Sequence, residues 1–473
     1  MGELHNYQKH VDKLRQGFNA GVNKSYEARI SHLKTLARLL TENEERFVKA
    51  LYQDLRKPEL EAKSNETTFT LGKINHAIAN LSKWMVPQKV DRTITQALDS
   101  AYRHPEPLGV VLIIGPWNFP FLLTVSPIIG ALAAGNTVLL KPSELAPETE
   151  RLFLEIFPKY FRDDVVKVVQ ADAKQTGEIL KIPFDHILFT GSSPVGKIIM
   201  RAAAEHLTPV TLELGGKDPA VVAPDVDIRI AARRIMWGKL LNNGQACISP
   251  DYAMVIGNTE RKNKFVVECI NCIKEYYGEN VHDSKDYGRI INEKNFDRLC
   301  HLIDKTDGKI LYGGRRERAE KFIEPTLISV EEDDITMDDE IFGPILPIFS
   351  VPTVDEAIKS INRREKPLVL YLFTDSKDTV KQVKENTSSG TLTINDTIMH
   401  FTVETLPFGG VGNSGMGKYH GKAGFDTFSH FKSVLHRSSW FESMLSARYP
   451  PFDAKKLRFM LRLITLSKYR SPI

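Results

Sequence analysis

One cysteine and one glutamate stand where a covalent reaction would need them. Cys247 follows a short Asn-Gly-Gln-Ala stretch, which is typical of a tight loop and not of a packed element. Glu213 lies 34 residues earlier, at the end of a predicted strand and before a Gly-Gly turn. A cysteine thiolate is a strong nucleophile, and a buried carboxylate whose pKa rises toward neutral suits a general base. The two residues therefore predict covalent catalysis followed by activation of water.

Each candidate residue also has a plainer interpretation. A lone cysteine in an apolar setting is usually an inert core residue, which is the alternative for Cys247. Glu213 could form an ion pair with Lys217, four residues further along the chain. Asn118 stands between two prolines and could simply cap a turn. Lys141 could be a solvated surface lysine.

Three stretches match binding motifs only in part. Gly410–Gly415 fits GxGxxG, but no βαβ pattern surrounds it, so a structural loop is favoured. Gly191–Lys197 fits GxxxxGK, yet Ile198 stands where a P-loop needs a hydroxyl to hold Mg²⁺. Cys269 and Cys272 form a CxxC on one face of a predicted helix, where a core stripe is favoured. Neither a second CxxC nor an HExxH accompanies them, so we predict no metal site.

The elements that must position these residues alternate along the chain. Residues 5–85 have apolar spacings typical of helices. From residue 108, short apolar runs predict strands buried on both faces, each followed by a helical stretch. These runs are 108–114, 137–140, 165–169 and 186–189. The alternation predicts a parallel α/β sheet with crossover helices, and a second mixed region runs from about 215 to 400.

Residues 86–106 have a different character from the segments around them. Thr93-Ile94-Thr95 and Ala101-Tyr102 predict a polar, exposed β-hairpin. The unpaired edges of such a hairpin could be covered by a partner subunit. We therefore expect an oligomerisation element here.

The composition limits the class of protein. A chain of 473 residues is too long for one hydrophobic core, so we expect at least two domains. Its net charge of +4 is too small an excess to indicate a nucleic-acid partner. Only four cysteines occur, which favours a reducing compartment over a disulfide framework. We expect a cytoplasmic protein, either free or peripheral on a cytosol-facing membrane.

A series of motifs follows in order from about residue 105 to 435. They are PWNFP at 116–120, KPSE at 141–144, FTGSSPVG at 189–196, LELGGK at 212–217, NGQAC at 243–247, EIFGP at 340–344 and LPFGG at 406–410. Together they resemble the aldehyde dehydrogenase superfamily. Within it, the ISPDY that follows Cys247 and the run from Pro407 to His430 are similar to the class 3 and fatty aldehyde dehydrogenase branch.

This resemblance implies a mechanism for the candidate residues. The Cys247 thiolate would attack an aldehyde, and the Asn118 side-chain amide and the Cys247 backbone N–H would stabilise the oxyanion. Hydride would leave to the nicotinamide of NAD, with NADP as an alternative cofactor. Glu213 would then activate the water that hydrolyses the thioester on Cys247 to a carboxylic acid.

The resemblance also implies where the cofactor binds. Lys141 and Glu144 are expected at the adenosine ribose. Gly191 and Ser192 are expected where a helix N-terminus meets the pyrophosphate, and Gly196 would permit close helix packing. The other expected cofactor residues are Trp117, Leu214, Gly215, Glu340 and Phe342, the last two at the nicotinamide ribose and ring.

The predicted architecture is an aldehyde dehydrogenase-like α/β fold: a parallel-sheet NAD-binding domain, an α/β catalytic domain and a small β oligomerisation element. The boundaries are 1–85 and 107–214 for the cofactor-binding domain, 215–405 for the catalytic domain, 86–106 and 428–440 for the oligomerisation element, and 441–473 for a basic amphipathic tail. The branch implies a homodimer. The tail could lie on an anionic membrane or dock on the protein itself, because basic amphipathicity fits both.

The expected reaction is the oxidation of aliphatic, medium- or long-chain, or aromatic aldehydes to acids. A relative that forms acyl-CoA is an alternative, but retention of Glu213 favours water as the acyl acceptor. A non-catalytic cofactor-binding or membrane-scaffolding protein is a second alternative. The presence of Cys247, Glu213 and Asn118 together argues against it.

Overall fold

The computed structural model describes residues 2–93, 96, 99–437, 439–440 and 442–466. The helices are α1 Gly2–Asn19, α2 Tyr26–Leu55, α3 Glu59–Ala62, α4 Thr68–Trp84, α5 Leu122–Ala134, α6 Pro147–Tyr160, α7 Ala173–Ile179, α8 Ser193–Ala204, α9 Ile228–Leu240, α10 Thr259–Tyr277, α11 Glu293–Lys305, α12 Val354–Asn362, α13 Lys377–Asn386, α14 Gly421–Thr427 and α15 Ala454–Leu466. The strands are β1 Gln88–Lys89, β2 Ser100–Pro107, β3 Val110–Ile114, β4 Thr137–Lys141, β5 Val166–Val168, β6 His186–Gly191, β7 Val210–Leu214, β8 Pro219–Val222, β9 Tyr252–Ile256, β10 Lys309–Tyr312, β11 Arg316–Glu317, β12 Phe322–Ile323, β13 Thr326–Ser329, β14 Ile345–Val351, β15 Val369–Phe373, β16 Thr391–Ile394, β17 Gly415–Met416 and β18 Ser429–His436.

The first sheet has six strands in the order β17-β7-β6-β3-β4-β5. All neighbours are parallel except β17, which runs antiparallel to β7. Every residue of β3 and β4 is buried, as continuous apolar runs require when helices cover both faces of a sheet. Each of the four apolar runs predicted as strands overlaps a strand of this sheet, so that prediction is confirmed.

Helix α5 connects β3 to β4 and is buried along its whole length. It ends at Gly135, whose φ of 101° lies in the left-handed region that glycine adopts without strain. The Gly135 N–H bonds back to the carbonyls of Ala131 and Leu132. The strand that follows therefore starts at once, and its carboxyl end reaches the same sheet edge as the end of β3.

The second sheet has seven strands in the order β10-β13-β14-β9-β8-β15-β16. It is parallel apart from the edge strand β10. Helix α10, which carries the CxxC, packs on this sheet with Cys269 and Cys272 buried in the core. The core-stripe interpretation of that motif is confirmed.

The chain returns to the first sheet after residue 405, in a stretch that the predicted boundaries leave unassigned. Gly415 pairs with Glu213 across the β17–β7 ladder. Helix α14 then packs on α5, where a Cβ on Gly130 would come within 3.1 Å of the Gly424 backbone. The Gly410–Gly415 stretch, which matches GxGxxG, lies in this segment and contains a short 3₁₀ turn at Gly412–Ser414, as expected of a structural loop.

A third, antiparallel sheet joins β1, β2 and β18. Its β2–β18 register runs from Pro107 opposite Ser429 to Ser100 opposite His436. The segments predicted to form the oligomerisation element thus share one sheet, although Ile94 and Thr95 of the predicted hairpin lie outside the described residues. Among the described helices, none combines the length and the apolar character needed to cross a bilayer.

Candidate active site

Cys247 follows a strained loop at the end of α9. A 3₁₀ turn over Leu241–Gly244 contains two left-handed asparagines, Asn242 with φ 48° and Asn243 with φ 57°. Asparagine tolerates this region better than most residues, but two buried examples in succession are unusual. Gly244 is also left-handed, and a Cβ there would lie 2.2 Å from the Gly343 carbonyl oxygen. Strain of this kind is typical of functional loops.

The side chain of Gln245 fixes this loop from inside. Its Nε2 donates to the carbonyls of Asn242 and Arg289, both at 3.0 Å, and its Oε1 accepts from the Ile291 N–H at 3.0 Å. Gln245 is fully buried, so these bonds are protected from competing water. Gln245 belongs to the NGQAC motif, but the motif alone indicates no role for it. The structure holds the half-buried Cys247, two residues later, on a rigid support.

Asn118 reaches the same loop from the turn after β3. Its Nδ2 donates to the Gln245 carbonyl at 3.1 Å, and its own backbone carbonyl accepts from the Asn242 side chain at 2.8 Å. The carboxamide therefore bonds 127 residues away in sequence and does not cap its own turn. The turn-cap alternative for Asn118 is wrong.

Glu213 is enclosed near the end of β7. It is 2% exposed, and neither carboxylate oxygen has a hydrogen-bond partner among the described residues. Burial raises the pKa of Glu213 well above its usual value, since the charged form loses water without gaining a donor. Gly409 borders the carboxylate, because a Cβ there would lie 3.1 Å from Oε1.

Lys217 binds elsewhere and does not pair with Glu213. Its Nζ lies 2.5 Å from Asp251 and donates to the Thr336 carbonyl at 2.6 Å. The ion-pair alternative for Glu213 is therefore wrong. Lys217 therefore does not pair with Glu213 and does not offset the effect of burial. The pKa of Glu213 stays raised, as a general base near neutral pH requires.

The surroundings of Cys247 disfavour its thiolate. Burial raises the pKa of the Cys247 thiol well above its usual value, and the nearby carboxylates of Glu340, Asp218 and Glu213 raise it further. Burial also raises the pKa of Glu340 to about 8, with Asp251 adding to the effect. The thiol is thus protonated at rest, and its proton must pass to an acceptor before attack.

A buried lysine next to this cluster escaped sequence analysis. Lys239 is 1% exposed, and its Nζ has no hydrogen-bond partner in the part of the chain that the structure describes. Its nearest ion-pair contact is Asp251 at 3.9 Å. Burial lowers the pKa of Lys239 to about 8. Nothing in the local sequence distinguishes this residue from a surface lysine of an amphipathic helix.

The predicted pyrophosphate residues lie at the carboxyl end of β6. Gly191 ends the strand, and Ser192 is the N-cap of α8 with no side-chain cap bond. Gly196 faces β7, where a Cβ would come within 2.8 Å of the Leu214 side chain. The N-terminus of α8 therefore presents backbone N–H groups and a hydroxyl at the sheet edge, an arrangement suited to an anion.

The predicted ribose residues lie at the end of β4 on the same edge. Lys141 is 4% exposed and forms an ion pair with Glu144. The surface-lysine alternative is therefore wrong. The carboxyl ends of β3, β4, β6 and β7 share this edge because their strands are parallel neighbours.

The two sheets meet where the nicotinamide residues are predicted. The rings of Trp117 and Phe342 contact edge to face at a centroid distance of 5.3 Å. Gly215 leaves space for Glu340, since a Cβ would lie 2.0 Å from the Glu340 Oε2. The residues predicted at the nicotinamide ribose and ring therefore lie close together.

Aromatic side chains that sequence analysis did not single out pack in the same core cluster as Cys247. The ring of Phe401 lies 4.9 Å from that of Phe408 and 5.9 Å from that of Phe69. Tyr419 packs edge to face on Phe408 at 5.9 Å. Phe69, Phe401 and Phe408 thus form an aromatic wall in the core cluster against which Cys247 packs, and such a surface suits the body of an apolar substrate.

Comparisons with known proteins give the same assignment as the motifs. The profile of the Aldehyde dehydrogenase family matches residues 2–434. "Aldehyde dehydrogenase, dimeric NADP-preferring" of Mus musculus is 46% identical over 456 residues, which span 96% of this chain and 100% of that protein. "Aldehyde dehydrogenase family 3 member A2" of Mus musculus is 47% identical over 451 residues, spanning 95% and 92%. The solved structure of Staphylococcus aureus AldH in its substrate-bound state superimposes with a TM-score of 0.93 at 40% identity, covering 97% of this chain and 99% of that one.

This chain belongs to the aldehyde dehydrogenase family. It is an NAD(P)-dependent oxidoreductase that acts on aldehydes. The predicted family branch, α/β fold class, enzyme class and cofactor class are confirmed. The roles of the individual site residues and the domain boundaries stay predictions.

Proposed function

We propose that this enzyme oxidises medium- or long-chain aliphatic aldehydes, or aromatic aldehydes, to carboxylic acids through a covalent thioester on Cys247. One observation carries the proposal. The rigid loop that carries Cys247 accepts a hydrogen bond from the Asn118 carboxamide at its Gln245 carbonyl, and the buried Glu213 carboxylate has no hydrogen-bond partner among the described residues. Such an arrangement supplies a nucleophile, an oxyanion donor and a base.

In the first half of the reaction, the half-buried Cys247 passes its proton to solvent water, and its thiolate attacks the carbonyl carbon. The resulting thiohemiacetal carries its charge on oxygen. The Asn118 Nδ2 donates one hydrogen to the Gln245 carbonyl, and its second hydrogen would bond to the oxyanion together with the Cys247 backbone N–H. Because Asn118 is buried, its donor is shielded from bulk solvent, and a hydrogen bond there is worth more than in solution.

When bound, NAD or NADP would supply the acceptor for the hydride that leaves the former aldehyde carbon. The residues that would hold it are those at the shared sheet edge: Trp117, Lys141, Glu144, Gly191, Ser192, Gly196, Leu214, Gly215, Glu340 and Phe342. Among them, Glu144 would accept hydrogen bonds from ribose hydroxyls and favour NAD over a 2′-phosphate.

In the second half, Glu213 removes a proton from water, which attacks the thioester carbon and releases the acid and the Cys247 thiol. The raised pKa of Glu213 supports this role, because a base is most effective when its pKa lies near the working pH. The presence of Glu213 also supports water over coenzyme A as the acyl acceptor. The aromatic wall formed by Phe69, Phe401 and Phe408 supports an apolar substrate.

The test is NADH formation from hexanal through hexadecanal and from benzaldehyde. Wild type, Cys247→Ser and the control Cys300→Ser are compared, because Cys300 is also a half-buried free cysteine but lies on α11. The proposal expects turnover by wild type and control and its loss in Cys247→Ser. Lack of turnover by wild type on every aldehyde with either cofactor would refute it.

We further propose a homodimer joined through the β1-β2-β18 sheet. The outer strand β18 exposes most of its length, and Leu435 is 62% exposed. An exposed apolar residue on a sheet edge is a liability that a partner strand would remove. Sedimentation of wild type and Leu435→Glu tests this: a dimer is expected for wild type and a monomer for the variant. A monomeric wild type would contradict the proposal.

For the tail, we propose contact with an anionic membrane facing the cytosol. Three apolar residues of α15, Leu457, Leu461 and Ile464, follow helical spacing and are 60%, 52% and 62% exposed. Basic residues flank them at Lys455, Lys456, Arg458 and Arg462, while Lys468 and Arg470 lie outside the described residues. An apolar stripe between cations fits the interface of such a membrane.

The tail is tested by co-sedimentation with phosphatidylserine vesicles. Deletion of 454–473 should abolish binding, and raised salt should weaken binding of the full chain. Equal sedimentation of the full and shortened chains would refute membrane contact.

A further inference from the structure

A fully buried ion pair lies behind the Asn118 turn, and sequence analysis gave it no role. Lys57, just after α2, pairs with Glu66, and both side chains are 0% exposed. Replacing a buried pair of this kind by apolar residues is often neutral or stabilising, so stability alone does not account for it. Its contacts indicate what else it does.

Glu66 lies in an irregular helical turn that places its side chain opposite Lys57. Residues Lys63–Thr67 form a π-helical turn between α3 and α4, and such turns occur frequently at functional sites. The second carboxylate oxygen of Glu66 accepts from the backbone N–H groups of Phe121 and Leu122, at 2.9 and 3.3 Å. Glu66 thus satisfies free N–H groups at the start of α5, directly after the Asn118 turn.

Lys57 holds the other side of the same turn. Its Nζ donates to the Asn118 backbone carbonyl at 3.2 Å and lies 4.1 Å from the centroid of the Phe119 ring. The Asn118 carbonyl also accepts from Asn242, so it receives two donors. The backbone from 118 to 122 is therefore clamped at both ends by one ion pair.

We propose that the Lys57–Glu66 pair is a positioning device that sets the Asn118 carboxamide for oxyanion stabilisation at Cys247. The pair touches neither Cys247 nor the Asn118 side chain, so it acts through the backbone of the turn. This inference rests on the proposed oxyanion role of Asn118. Without the pair, the turn keeps one donor on the Asn118 carbonyl and the carboxamide loses its defined orientation.

The experiment is a double-mutant cycle in the full-length enzyme with saturating NAD. The variant Lys57→Met/Glu66→Gln is neutral and nearly isosteric, and its glutamine oxygen still accepts from the N–H groups at the start of α5. Lys57→Met alone is the second variant, because the buried Glu66 can then take up a proton if the double change prevents folding. Each is made with Asn118 intact and with Asn118→Ala, and kcat/KM for hexanal and Kd for NADH are measured.

With Asn118 intact, we expect either variant to lower kcat/KM by about 10- to 100-fold with Kd for NADH unchanged, since small displacements of a catalytic group cost this much. In the Asn118→Ala background the same change should cost less than about twofold, because the group it positions is gone. An equal loss in both backgrounds, or no loss with Asn118 intact, overturns the positioning role. If Asn118→Ala alone leaves kcat/KM unchanged, the oxyanion role of Asn118 fails, and this inference fails with it.

Discussion

Replacement of Glu213 by glutamine should make the protein more stable and less active. The carboxylate is buried and has no hydrogen-bond donor among the described residues, so its ionised form is destabilised in the folded state. Glutamine has nearly the same shape and carries no charge. The cost of one buried, unsatisfied polar group is about 1–3 kcal/mol, which sets the expected gain in unfolding free energy at neutral pH.

The pH dependence of that gain has a definite sign. A carboxyl whose folded pKa is raised contributes stability that is fully present below its unfolded value, near 4.5 for glutamate, and is lost as pH rises toward the folded pKa. The difference between Glu213→Gln and wild type should therefore be small at pH 4.5 and grow as the pH increases. Denaturant titrations at several pH values measure it, with Glu385→Gln, at an exposed position on α13, as the control.

The kinetic effect should be confined to hydrolysis of the thioester. Loss of a general base costs about 10²- to 10⁴-fold, so steady-state turnover should fall by that factor. Rapid mixing with hexanal and NAD should still give a burst of about one NADH per active site, because acyl-enzyme formation precedes the step that needs Glu213. A variant that is less stable than wild type at pH 8, or a steady-state rate near that of wild type, would refute the reasoning.

Three further outcomes follow from the structure. Asn118→Ala should lower kcat by about 100- to 1000-fold with little change in Kd for NADH, measured by stopped flow and fluorescence titration, since it removes one oxyanion donor. Gly196→Val should weaken NADH binding without changing thiol reactivity of Cys247, because even a Cβ there would lie 2.8 Å from the Leu214 side chain and displace the α8 N-terminus. Burial lowers the pKa of His186 to about 4, so its contribution to the free energy of unfolding is fully present above pH 6.5 and is lost as the pH falls from 6.5 to 4. His186→Gln should therefore make the free energy of unfolding less dependent on pH in this range.

Local pattern was sufficient to predict much of the fold. Buried strands such as β3 and β4 have continuous apolar runs because helices cover both their faces, and α5 ends at Gly135 because glycine adopts the left-handed conformation there. These features depend on residues near each other in sequence. The return of β17 and α14 to the first sheet has no such local signal, since its cause is packing against α5.

The site was predictable in its motifs and not in its contacts. Cys247, Glu213 and Asn118 could be named from their order along the chain. The bond from Asn118 to the Gln245 carbonyl spans 127 residues, and the ion pair of Lys217 with Asp251 replaced the nearer partner that sequence spacing offered. Buried polar side chains take whichever partner the fold brings within reach, so their pairing is decided by tertiary structure.

The central claim is that Cys247 carries the acyl group. Mass spectrometry of the intact protein and of its peptides tests this claim most directly. Glu213→Gln protein is mixed with hexanal and NAD and quenched in acid, and peptides are mapped. We predict one hexanoyl group per chain, located on the peptide that contains Cys247, and no adduct when NAD is omitted. An acyl group on another residue, or an unmodified chain after the NADH burst, would contradict this account.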